Sequence, residues 1–163
     1  MKTLLIILIT MFSFTAVAQT DVPFQNVYVN YLKEEGYRPK ITEHGNIKVK
    51  IEGDNYFIMI DADDPLYLRV MKFGWTFDPK DKKEKRLMLR AANYTNGKCK
   101  TVKIVIEDDS IVINSDIFIS NPRNIKTIFE RMISAMRFSK EVFKKYYLYM
   151  DKKKSDNKPA REL

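Results

Sequence analysis

The sequence predicts an α+β domain, an antiparallel sheet with helices packed on one face, and three observations carry that prediction. Short stretches of alternating apolar and polar residues are joined by tight turns, which makes consecutive strands antiparallel neighbours. Three other stretches keep a helical period, one before the strands, one among them and one after. The resulting order is α-β-β-β(β)-α-β-β-α, and helices so distributed close over one face of a sheet.

Each element has its own signal. Phe24, Val27, Tyr28, Tyr31 and Leu32 recur at helical spacing, with Pro23 opening the helix and Gly36 ending it. Residues 38–42 read as a weak strand that turns at Glu43-His44-Gly45-Asn46. Ile47, Val49 and Ile51 alternate with Lys48, Lys50 and Glu52, the pattern of a half-buried strand, and Gly53-Asp54-Asn55 supplies the next turn. Residues 56–60 are apolar at every position and predict a central strand covered on both faces. A loop of Asp61, Ala62, Asp63, Asp64 and Pro65 leads to a long aromatic-rich strand over residues 66–77. The middle helix spans residues 81–96, with Leu87, Met88, Ala91, Ala92 and Tyr94 as apolar positions and Gly97 behind it. Residues 100–107 and 111–119 form a hairpin around Asp108-Asp109-Ser110. Asn121-Pro122 then caps a last helix in which Ile125, Ile128, Phe129, Met132, Ile133, Met136, Val142, Phe143, Tyr146, Tyr147 and Met150 hold the period.

The first eighteen residues have the pattern of a secretory signal: Lys2, an apolar run, and an Ala16-Val17-Ala18 cleavage site that leaves Gln19 first. The prediction is an exported chain, periplasmic or secreted, with one domain over residues 19–150. Residues 151–163, charged and without a hydrophobic period, predict a flexible tail.

Composition excludes several kinds of chemistry. The 163 residues contain one Cys and one His, too few for a disulfide framework or a His/Cys zinc cluster. Cys99 reads as a small buried hydrophobe and His44 as a turn residue. No Walker loop, dinucleotide fingerprint or nucleophile elbow occurs. No catalytic residue, metal ligand or cofactor is assigned. The Asp61, Asp63 and Asp64 cluster is no EF-hand, since Leu66 stands where glycine is required and Lys72 where the bidentate acid belongs. A metal-dependent enzyme built on that loop is the alternative from another functional class, and a purely structural homodimer is a third.

Charge and patterning point instead to binding. The formal net charge is +8. Between Lys80 and Lys103 nine basic residues, among them Lys82, Lys83, Lys85, Arg86 and Arg90, face only Asp81 and Glu84. Such a segment steers anionic partners. It has few interleaved aromatics for base stacking, so acidic protein surfaces fit it better than nucleic acid, with membrane-surface contact a weaker fit. One phase of the strands (Ile47, Val49, Ile51, Ile58, Val102, Ile104, Ile111, Ile113) supplies the helix-covered face. The other phase should be polar if it meets water. Instead it carries Phe57, Met59, Val105, Val112 and Phe118, with Asn114, Asp116 and Lys103 between them, and the long strand adds Tyr67, Met71, Phe73 and Trp75 beside Arg69. A bulge near Gly74 would flip the phase of this long strand. Of these, Phe57, Met59, Tyr67, Met71, Phe73, Trp75, Val112 and Phe118 are the candidate partner-binding surface, for a protein or peptide segment or for a second copy of the chain.

The run Ala91-Ala92-Asn93-Tyr94-Thr95-Asn96 followed by Val102-Lys103-Ile104 resembles the YbjN-like family of sensory transduction regulators. The strands through Ile111-Val112-Ile113, the long final helix, and the opening from Tyr31-Leu32 to Gly36-Tyr37 with Gly53-Asp54 complete the likeness. The resemblance covers roughly residues 24–150 and implies a fold like that of type III secretion chaperones. It further implies a non-enzymatic scaffold that holds extended polypeptide, commonly as a dimer, and it transfers no site residues.

Overall fold

A computed structural model describes residues 23–156. The signal segment at residues 1–18 and the tail from residue 157 lie outside the described residues.

Strand β2 (Ile47–Ile51) shows how the sheet is oriented: Ile47, Val49 and Ile51 are buried on one side while Lys48 and Lys50 are exposed on the other. The same alternation continues through β3 (Asp54–Met59), β4 (Tyr67–Thr76), β5 (Val102–Ile106) and β6 (Ser110–Phe118), with the two-residue β1 (Lys40–Ile41) at one edge. The sheet has six strands in the order β1-β2-β3-β4-β6-β5, and every neighbouring pair is antiparallel. Helix α1 (Pro23–Glu34) precedes the sheet. Helix α2 (Lys82–Asn96) carries the chain from β4 to the far edge, and β6 returns between β4 and β5. A 3-10 turn (Pro122–Asn124) then leads into α3 (Ile125–Asp156).

All three helices contribute to one core. Tyr28, Tyr31 and Leu32 of α1, Met88, Ala91 and Ala92 of α2, and Ile125, Phe129, Ile133, Met136 and Phe143 of α3 bury against Ile47, Val49, Tyr56, Ile58, Leu68, Val70, Ile104 and Ile113. The fold class is thus α+β with its helices on one face, as the alternation predicted. The caps form at the expected residues: Asp81 accepts the Lys83 and Glu84 amides, and Asn121 accepts the Arg123 amide at 2.9 Å. The β2–β3 turn is built on Glu52 and Gly53, both with positive φ, 48° and 92°. Its two-residue form matches the twist of the flanking strands.

Three expectations need correction. Strand β3 is covered on one face only: Tyr56 and Ile58 are buried, while Phe57 and Met59 stay partly exposed on the other side. Its all-apolar sequence reflects two different surroundings, not burial on both faces. Helix α3 runs to Asp156, so the first six residues of the expected tail are helical. Finally, the pairing of β4 with β6 shifts between Phe73 and Thr76. That irregularity turns Trp75 to the helix side, where its ring meets Phe143 edge-on at 5.3 Å. Gly74 sits at the shift, and a Cβ there would lie 3.2 Å from the Ile111 side chain and carbonyl.

One charge is buried among the helices. Lys72 of β4 is 4% exposed, lies over the Tyr56 ring, and donates to Asp54, which Lys140 of α3 also approaches. Burial pushes the Lys72 ammonium down, and the bond from Lys72 holds Asp54 below the usual carboxylate range.

Both sheet edges are protected. At the β1 edge the strand is two residues long and carries Lys40. At the β5 edge the Asn96 side chain does the protecting: its Oδ1 accepts the Ile104 amide at 2.7 Å and its Nδ2 donates to the Ile104 carbonyl at 3.0 Å. The middle of the free edge therefore already has its partner. We expect Asn96→Ala to cost about 1–2 kcal/mol in denaturant unfolding. It should also introduce concentration-dependent association through β5, visible by light scattering. Unchanged stability in a strictly monomeric variant would show that the edge is not protected this way.

Candidate functional site

The uncovered face of the sheet is assembled by register. One row of residues crosses all six strands: Lys40, Lys48, Phe57, Met71, Asn114 and Lys103, each opposite the next. Beside it Phe73, Val112 and Val105 form a second row. On the other flank Met59, Arg69 and Asp116 form a third, and Tyr67 with Phe118 a fourth. With strands about 4.8 Å apart, the longest row spans about 24 Å, and four rows extend about 20 Å along the strands.

This surface is mostly apolar, with the Arg69–Asp116 pair and Asn114 set into it, and it is held in place. Phe118 is 79% exposed, Phe73 50% and Val105 40%. Phe57 and Phe73 meet edge to face at 5.8 Å, and Tyr67 tilts against Phe118 at 5.4 Å. Arg69 donates from Nε to Asp116 at 2.9 Å and from Nη2 to the Tyr67 hydroxyl at 2.7 Å, with its guanidinium 5.2 Å from the Tyr67 ring centre. Lys48 lies over the Phe57 ring at 5.8 Å. These contacts set the rotamers of most of the large side chains before anything binds. A shallow depression of 270 Å³ lies between Gly53, Asp54, Asn55, Phe57 and Phe73.

Of the eight residues expected here, seven are on this face: Phe57, Met59, Tyr67, Met71, Phe73, Val112 and Phe118. Val112 is nevertheless only 3% exposed, because it stands between Phe73 and Val105 in its row. The eighth, Trp75, is corrected: it packs on Phe143 of α3 and belongs to the helix side. Val105, placed in the same strand phase by the sequence, is exposed beside Val112 and completes the surface. Helix α2, with Lys82, Lys83, Lys85, Arg86 and Arg90, lies in the helix layer, on the reverse side of the sheet from this face. The cations that border the face itself are Lys40, Lys48, Lys50 and Lys103.

A second apolar feature escaped the sequence reading. Tyr94, Lys98, Phe138, Val142, Lys145, Tyr146 and Tyr149 line a groove of about 610 Å³ between α2 and α3. Tyr94 and Tyr146 stack there at 4.0 Å. Phe138, Val142, Lys145 and Tyr149 recur at helical spacing on α3, a second stripe beside the one that fills the core.

Two of the three carboxylates in the aspartate loop bond its own backbone: Asp61 accepts the Asp63 amide at 3.1 Å and Asp64 accepts the Leu66 amide at 3.2 Å. These are turn-forming bonds of the kind short acidic side chains make. Among the described residues no group of three His, Cys, Asp or Glu could hold a metal ion. Millimolar calcium or zinc is expected to leave the thermal midpoint unmoved, whereas a rise of several degrees, lost in Asp61→Asn, would establish a cation site in this loop.

No family model matches the chain, and no curated protein matches its sequence. The fold is similar to a chain in the structure of the HopA1–SchA chaperone–effector complex, at 11% identity and a TM-score of 0.48, covering 72% of this chain and 93% of that one. It is also similar to a chain in the structure of the Yersinia pestis type III secretion chaperone SycH with a stable fragment of YscM2. There the identity is 12% and the TM-score 0.43, over 71% of this chain and 98% of that one. At these scores the likeness carries nothing about what this chain binds.

Proposed function

We propose that the protein is an exported, non-enzymatic binding module that holds a polypeptide segment of another protein against the uncovered face of its sheet. Export rests on the signal pattern ending at Ala18. The observation that supports binding is the contiguity of Phe57, Met71, Phe73, Val105, Tyr67 and Phe118 on one helix-free surface. In water that surface is unfavourable to leave bare, and contiguous exposed apolar patches of this kind mark interaction sites.

Two further features favour a face-on polypeptide. The edges resist strand addition, through Lys40 on a two-residue strand at one side and Asn96 at the other. The surface is broad and shallow, unlike the concave cavities that enclose small ligands. The pre-set aromatic pairs reduce the ordering cost of association.

Replacing Phe73 and Phe118 together by Ala should weaken capture of a fluorescent, permanently unfolded polypeptide by about tenfold or more. Because both rings are half exposed or more, stability should fall by only about 1 kcal/mol. Trp75→Ala, by contrast, should cost about 3 kcal/mol as a core truncation. Undiminished capture by the Phe73/Phe118 variant, with its fold verified by circular dichroism, would contradict this assignment.

A further inference from the structure

We infer that the segment held by the uncovered face is acidic and amphipathic, with an apolar stripe lying across the strands and carboxylates near its two ends. This deepens the binding function proposed above and rests on it. The inference comes from the order of side chains in the longest row. Lysines stand at both ends, Lys40 and Lys48 on one side and Lys103 on the other, and Phe57, Met71 and Asn114 lie between them. Lys50 extends the cationic border along β2.

None of Lys40, Lys48, Lys50 and Lys103 has a carboxylate partner among the described residues. Lys40 and Lys48 are directly opposite each other across β1 and β2, an arrangement that is unfavourable until an anion lies between them. The single acid among these rows, Asp116, is already engaged by Arg69. These rows therefore present positive charge at their lateral borders and no unengaged carboxylate for a basic guest.

Other occupants fit less well. A copy of this chain brings the same lysine-bordered surface, so docking face to face sets like charges against each other. An anionic membrane would meet Asp61, Asp63 and Asp64 in the β3–β4 loop, at the end of the sheet where Phe118 is most exposed. It would also have to bury the Arg69–Asp116 pair in the middle of the face.

Three synthetic peptides of twenty residues test this, sharing one Leu/Phe stripe and ending in Glu, Gln or Lys at both ends. At low salt the Glu peptide should bind about tenfold tighter than the Gln peptide, the Lys peptide should bind weakest, and the gap should close near half-molar salt. Replacing Lys48, Lys50 and Lys103 together by Ser should abolish the gap, while the same change at Lys82, Lys83 and Arg86 on α2 should preserve it. Equal binding of the Glu and Gln peptides, both weakened by the Phe73/Phe118 change, would overturn the acidic assignment and leave the binding face standing. Binding of all three that is indifferent to the Phe73/Phe118 change, or no binding of any, would overturn both. So would a dimer, or adsorption to anionic vesicles, that disappears when Phe118 is replaced.

Discussion

The structure depends on one geometric constraint: a six-stranded sheet has two faces, and the described residues supply helices for only one. Side chains alternate across each strand, so whatever the helices fail to cover is presented as a surface with the same periodicity as the core. On the covered side the alternation yields Ile47, Val49, Ile58, Leu68, Val70 and Ile113, all nearly inaccessible. On the other it yields a centre of Phe57, Met59, Met71, Phe73 and Phe118, where an ordinary solvated face would be polar. That central patch gives the fold a functional reading.

The two sides use charge differently. On the helix side Lys72 is enclosed and needs Asp54, so removing the acid would strand a buried cation, the costly case for an ion pair. On the open side the lysines sit at the borders, well solvated. Their effect is on approach, orientation and choice of partner more than on stability. The Arg69–Asp116 pair does neither. Together with Tyr67 it fixes Phe118 and its surroundings as a preformed surface.

Much of this was legible in the sequence, and the remainder follows physical rules that the sequence does not display. Ile47, Val49 and Ile51 gave the strand phase outright, and Asn121 and Asp81 gave the helix starts. Trp75 was misplaced because a one-residue shift in pairing after Phe73 reverses the faces, and only the partner strand determines where the shift falls. Val112 was rightly put on the open face, but its burial depends on Phe73 and Val105, neighbours brought to it by register. The lysine row was invisible for the same reason: Lys40, Lys48 and Lys103 are far apart in sequence and align only through five strand pairings. The protective role of Asn96 was hidden inside a helix-to-strand phrase that looked merely characteristic. Phe138 and Tyr149 were missed because their stripe runs beside a stronger core stripe on the same helix.

If the face holds a partner, it is bare in a lone protomer. Methyl-labelled methionine gives the most direct test, since Met59 and Met71 lie on that face while Met88 and Met136 lie in the core. In the free monomer a soluble paramagnetic agent should broaden the Met59 and Met71 methyl signals strongly and leave Met88 and Met136 sharp. Saturating acidic peptide should then protect the first pair. Methyl signals of Met59 and Met71 that are as sharp as those of Met88 and Met136 before any peptide is added would contradict the account.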